Sequence, residues 1–163
     1  MLINEREVIK MKKMLVFDMD GTLANLYGVE NWLEKLRAED VSPYVEAEPL
    51  WDMQVLNYIL ALLQEKGYII AVTSWLGMKA TKEYKCQTAQ AKREWLDRYN
   101  FPYNELHFVQ YGTTKANCTR HKADFQILID DNDKVRAGWS LGATINPMTE
   151  NIIDVLSALY LAE

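Results

Sequence analysis

Apolar positions along this chain follow two rhythms. Short continuous runs, Met14 to Phe17, Tyr68 to Val72, Leu106 to Val109, Phe125 to Ile129 and a weaker one at Ala143 to Ile145, have the length and composition of strands buried on both faces. Between Met53 and Lys66 the spacing changes to that of a helix, with Met53, Val55, Leu56, Ile59, Leu60, Leu62 and Leu63 on repeating positions and Gly67 where a helix ends. A second helical stretch, from about Met78 to Tyr99, carries Tyr84, Trp95 and Leu96 and is closed by Phe101-Pro102. Further helices are predicted over Asp133 to Trp139 and Ile152 to Leu161. Strands alternating with helices predict an α/β domain whose parallel sheet is covered on both faces. Ala24 to Asp52 stands outside this alternation and is too long for a plain loop.

Composition narrows the picture further. A chain of 163 residues is one modest domain, able to bury roughly 70% of the surface it exposes unfolded. With 49% hydrophobic and 25% charged residues it is an ordinary globular protein, which excludes disorder as its main state. No apolar run approaches the roughly 20 residues of a membrane-spanning helix, and Glu5, Arg6, Glu7 and Lys10 break any secretory pattern near the start. Cys86 and Cys118 belong to no Cys-x-x-Cys or Cys/His array, so neither a disulfide scaffold nor a zinc ribbon is expected, and a reducing cytoplasm is the natural setting. The net charge of −5 argues against a surface that grips nucleic acid as a whole, leaving room for a local basic groove. Lys79, Lys82, Lys85, Lys92 and Arg93 share no narrow helical face and read as solvated charges.

Ligands of a parallel α/β sheet bind beyond the carboxyl ends of its strands. Those ends carry Asp18 and Asp20 after the first strand, Thr73 and Ser74 after the second, and Asp130 and Asp131 after the fourth, with Lys115 following the third strand behind Gly112-Thr113-Thr114. Converging carboxylates repel, and a hard divalent cation with oxygen ligands relieves them, so Mg²⁺ is the expected ion. Neither a P-loop nor a dinucleotide-binding glycine fingerprint is present.

In order and spacing these residues resemble the haloacid dehalogenase-like (HAD) superfamily of Mg²⁺-dependent phosphohydrolases. The motifs in question are Leu15-Val16-Phe17-Asp18-Met19-Asp20-Gly21-Thr22, Ile69-Ile70-Ala71-Val72-Thr73, Lys115, and Ile127-Leu128-Ile129-Asp130-Asp131. The resemblance spans about Met14 to Ile145. It implies a Rossmann-like three-layer α/β/α core over 14–163, a small helical cap inserted after strand one at 24–52, and an N-terminal extension at 1–13. It also implies roles. Asp18 is the nucleophile that forms an aspartyl-phosphate, and Asp20 the acid that protonates the leaving group and then activates water. Asp18, Asp130 and the main-chain carbonyl of Asp20 hold Mg²⁺, with Asp131 behind them. Thr73 and Lys115 bind the phosphoryl oxygens. Ser74 rivals Thr73, and Lys122 rivals Lys115. An acid at position 20 favours a phosphatase over an ion pump. Asp133 reads as the first-turn acid of its helix, and His107 and His121 as structural or exposed residues that stand alone.

The substrate implied is a small phosphorylated metabolite. The short cap and the Ile-Asp-Asp of the fourth motif resemble the deoxyribonucleoside 5′-monophosphatases and the 3′-phosphatase half of phage polynucleotide kinases, which points to a nucleotide. Tyr27, Trp32, Tyr44 and Trp51 in the cap segment, and Trp75 just beyond Thr73, are then candidates to stack on a base, or else to pack the cap against the core. A sugar-phosphate phosphatase remains an alternative. So does a catalytically silent phosphate-binding or receiver-like signalling module, although a receiver keeps its acid pair after strand one and its lysine at the last strand.

Overall fold

A computed structural model describes residues 10–163; most of the extension at 1–13 lies outside them. Five strands, β1 (Lys13–Phe17), β2 (Tyr68–Trp75), β3 (Glu105–Val109), β4 (Phe125–Ile129) and β5 (Thr144–Ile145), form one sheet in the order β3-β2-β1-β4-β5. Every pairing is parallel. The central strand β1 is almost entirely buried, as its unbroken apolar run requires.

The two sheet faces are covered unequally. Leu15, Phe17, Ile70, Val72, Ile127 and Ile129 face the main core, built with α3 (Met53–Glu65), α4 (Lys82–Arg98) and α6 (Ile152–Leu161). Met14, Val16, Ala71 and Leu128 face the other side, under α5 (Asp133–Ala137) and Trp139. The expected three-layer Rossmann-like α/β/α arrangement is therefore present.

Two boundaries differ from the sequence reading by three residues or more. Strand β2 runs on through Thr73 and Ser74 to Trp75 because edge strand β3 pairs with its far end, Ala71 opposite Glu105 and Trp75 opposite Val109. Helix α4 begins at Lys82 rather than Met78, since Lys79 has a left-handed φ of 56° and Thr81 supplies the N-cap, its hydroxyl accepting from the Tyr84 amide. The end of α3 is as anticipated, with Gly67 at φ 92° just beyond it.

Residues 24–52 hold a 3₁₀ turn (Leu26–Gly28) and two short helices, α1 (Trp32–Arg37) and α2 (Ser42–Glu46). The segment is fastened chiefly to α4. Trp95 Nε1 donates to the Ala47 carbonyl at 2.7 Å, Tyr84 Oη to that of Asp40 at 3.0 Å, and Arg98 to that of Val45 at 3.0 Å. Leu26 and Tyr44 pack with Tyr84 and Ala91 in a small separate cluster. Among the described residues no helix is long and apolar enough to cross a membrane.

Candidate active site

The site is assembled where β1, β2 and β4 end. In register, Val16 pairs with Ala71 and with Leu128, so the next residues on that face are Asp18, Thr73 and Asp130. Backbone bonds extend the ladder past the strands, with Asp18 N donating to Ile129 O at 2.9 Å. Gly21 then turns the chain at φ 80°, a conformation for which glycine is suited, and a Cβ there would lie 2.6 Å from the Tyr27 ring.

Asp18 is buried and held at both oxygens. Lys115 Nζ donates to Oδ1 at 2.7 Å, and Thr22 Oγ1 donates to Oδ2 at 3.1 Å. The same ammonium donates to Asp130 Oδ2 at 2.7 Å, bridging the two carboxylates. Thr22 Oγ1 also accepts from the Asp131 amide at 3.2 Å, so one hydroxyl links the two acidic motifs. Asp130 is further fixed by the Asn132 amide on Oδ1 and by Arg136 donating to its carbonyl.

Asp18, Asp130 and Asp131 each offer a carboxylate oxygen within 4.8 Å of the others. The crowding has an electrostatic signature. Burial first, then the charge of Asp18, pushes the Asp130 carboxyl up against the pull of Lys115. Burial, Asp18 and Asp130 do the same to Asp131. Burial alone would push the Lys115 ammonium down, but Asp18 and Asp130 outweigh it and hold the pKa above its usual value.

The rival residues differ in placement. Thr73 is fully buried on the Asp18 face, and its Oγ1 has no hydrogen-bond partner among the described residues. Ser74 turns to the opposite face, where its Oγ accepts from Lys92 at 2.8 Å. Lys115 enters the carboxylate cluster, whereas Lys122 is exposed. Asp133 is a first-turn acid of α5 paired with Arg136.

Asp20 lies apart from the metal-capable trio, its Oδ2 accepting from Lys92 Nζ at 2.6 Å. Burial raises its carboxyl, Lys92 draws it down, and Asp18 adds to the rise. The contact corrects one expectation: Lys92 is fully buried, not solvated. The overlooked signal was its helical position, since Thr88, Trp95 and Leu96, at i−4, i+3 and i+4, are all buried on the same face. Nor do the two histidines stand alone, because both contact Glu105 on β3.

A cavity of about 650 Å³ opens over these groups, between the strand ends and segment 24–52. Tyr27, Trp32, Tyr44, Trp75 and Tyr111 are among its walls. Trp75 leans on Tyr111 with ring centroids 4.9 Å apart, donates to the Thr113 carbonyl at 2.9 Å, and lies 5.3 Å from Lys115 Nζ. It therefore packs on the loop that delivers Lys115.

No family model matches the chain, and no curated protein does. Among solved structures it is similar to the D,D-heptose 1,7-bisphosphate phosphatase of Burkholderia thailandensis, with 15% identity over 90% of this chain and 99% of that one and a TM-score of 0.51. A haloacid dehalogenase-like hydrolase of Burkholderia xenovorans LB400 follows at 13% identity over 89% and 86%, its TM-score of 0.41 too low to speak for a shared fold. The chain thus shares the fold of the D,D-heptose 1,7-bisphosphate phosphatase, with Asp18, Thr73 and Asp130 gathered at the ends of its strands and Lys115 reaching in between two of them.

Proposed function

We propose that this protein is a phosphomonoester hydrolase working through an aspartyl-phosphate on Asp18. The observation that carries the reading is the cluster of buried Asp18 and Asp130 with half-buried Asp131, the first two bridged by Lys115 and flanked by the Thr73 hydroxyl, which has no partner among the described residues. Carboxylates this close fit a hard divalent cation, because all three offer oxygen and their mutual repulsion is only partly relieved by one ammonium. Asp18 and Asp130, with Asp131 beside them and the Asp20 carbonyl, would hold Mg²⁺, which when bound withdraws charge from the phosphoryl oxygens.

The chain's own groups supply the rest. An oxygen of Asp18 attacks phosphorus as the ester P–O bond breaks, and Asp20 gives its proton to the departing oxygen. Water then attacks the phosphorus of the acyl phosphate, Asp20 takes a proton from it, and inorganic phosphate leaves with Asp18 restored. Lys115 and the Thr73 hydroxyl are the groups available to the phosphoryl oxygens throughout.

For substrate we favour a mononucleotide. The aromatic walls of the cavity support that choice, since a base can stack there, and 650 Å³ is within the range of small-molecule sites. A sugar phosphate is the second reading, supported by the fold shared with an enzyme that acts on a heptose bisphosphate.

The test is release of phosphate from p-nitrophenyl phosphate. Wild type should be active with Mg²⁺, silent with chelator and restored by returning the ion. Asp18→Asn should lose at least about a hundredfold of the rate with its melting temperature little changed. A variant keeping more than a tenth of wild-type turnover would rule out Asp18 as the nucleophile.

A further inference from the structure

Lys92 is the most improbable residue in the interior. Its side chain is fully buried on the inner face of α4, among Thr88, Trp95 and Leu96, where helical periodicity asks for an apolar residue. Three acceptors surround its ammonium: Asp20 Oδ2 at 2.6 Å, Ser74 Oγ at 2.8 Å and the Trp75 carbonyl at 2.9 Å. An ammonium has three donors, and all are used. Below it the Tyr44 ring of the cap segment lies 5.0 Å away, in the geometry of a cation–π contact.

The surroundings fix Lys92 from separate parts of the chain. Ser74 and Trp75 belong to the end of β2, Tyr44 to α2, and the lysine itself to α4. The fourth partner, Asp20, comes from the turn after β1 and still borders the cavity that Asp18 borders. A methionine would fill the same space without the cost of taking a charge out of water. What the lysine adds is a directed hydrogen bond to one carboxylate oxygen, made from a rigid helix.

We propose that Lys92 is a positioning residue for Asp20, holding its carboxyl at the edge of the cavity in the orientation from which it serves the leaving group. This rests on the phosphatase reading above. The nucleophile and the acid are thereby held by different ammoniums, Asp18 by Lys115 and Asp20 by Lys92. Because Lys92 also abuts Tyr44, the placement of the cap segment and that of Asp20 share one support.

The test is Lys92→Met, assayed by kcat/KM on two substrates with Mg²⁺. This ratio reports the steps up to release of the alcohol, so it isolates the acid's part. An alkyl phosphate needs a proton as its bond breaks and p-nitrophenyl phosphate does not. The variant should lose about ten- to a hundredfold on the alkyl phosphate and less than about threefold on p-nitrophenyl phosphate, as misplacement of a catalytic group does. In an Asp20→Asn background the same substitution should cost nothing further on either substrate. Should Lys92→Met fail to fold, Lys92→Leu, which likewise offers Asp20 no donor and suits the apolar face of α4, takes its place with the same selective pattern expected. Equal losses on both substrates, or full additivity with Asp20→Asn, would overturn the positioning role while leaving the phosphatase reading intact. Wild type without activity on either substrate, or Asp20→Asn without a selective loss on the alkyl phosphate, would overturn that reading and this inference with it.

Discussion

Lys115 holds together two carboxylates that would otherwise meet unscreened. Its ammonium is 2.7 Å from both Asp18 and Asp130, and all three groups are buried. Removing one member of a buried ionic cluster typically costs about 3–5 kcal/mol, because the remaining charges keep their desolvation penalty and lose their partner. Lys115→Met should therefore lower stability toward urea by an amount of that order. Divalent cation should return more of that stability to the variant than it adds to wild type, since Mg²⁺ can neutralise the charges that the lysine no longer meets. Equal stabilisation of both by Mg²⁺ would mean that the ion binds elsewhere. Thr22 is a quieter participant of the same kind, its hydroxyl donating to Asp18 and accepting from the Asp131 amide.

At the scale of elements, the loop that carries Lys115 is tied to β3 through Glu105. This carboxylate accepts from the amides of Arg120 and His121, the latter at 2.8 Å, and from the side chains of His107 and His121. Burial works to raise its pKa, but the hydrogen bonds outweigh it and hold the carboxyl down at about 2, below its usual 4.5. A depressed carboxylate stabilises the fold fully above its unfolded pKa and loses that contribution as pH falls from about 4.5 toward 2. Glu105→Gln should consequently be less stable than wild type by about 1–3 kcal/mol at pH 7, with the gap closing below pH 4. A gap unchanged at pH 3 would show that the anion is not what pins the loop. None of this was legible in the sequence, where Glu105 stands just before the apolar run Leu106 to Val109 and its partners lie up to 16 positions away. What could be read were the features that depend on neighbours in sequence: the apolar runs of β1 and β4, the periodicity of α3, and the acids at the strand ends. The full length of β2 could not be read, because its last three residues are made strand by pairing with β3. For Lys92 the helical position beside Trp95 and Leu96 signals the buried face, but the carboxylate that makes a buried ammonium tenable there, Asp20, arrives from 72 residues away.

For the molecule as a whole, the sheet order brings four separate stretches of chain to one cavity, and segment 24–52 closes over it. Substrate choice then belongs to the walls, among which Trp75 is in the most telling position. Its ring is flanked by Tyr111 and by the Lys115 ammonium, and its indole N–H is already committed to the Thr113 carbonyl. Trp75→Ala should thus weaken hydrolysis of every substrate somewhat, through the lysine loop. If a base also stacks on this wall, a mononucleotide loses an additional contact worth about 1–3 kcal/mol, or about five- to 150-fold. The measurement is the ratio of kcat/KM for a deoxyribonucleoside 5′-monophosphate to that for p-nitrophenyl phosphate, in wild type and variant. A fall of the ratio by fivefold or more supports the nucleotide reading. A constant ratio, together with a wild-type preference for sugar phosphates in a substrate panel, would assign Trp75 to support of the Lys115 loop alone and make the sugar-phosphate reading the better one.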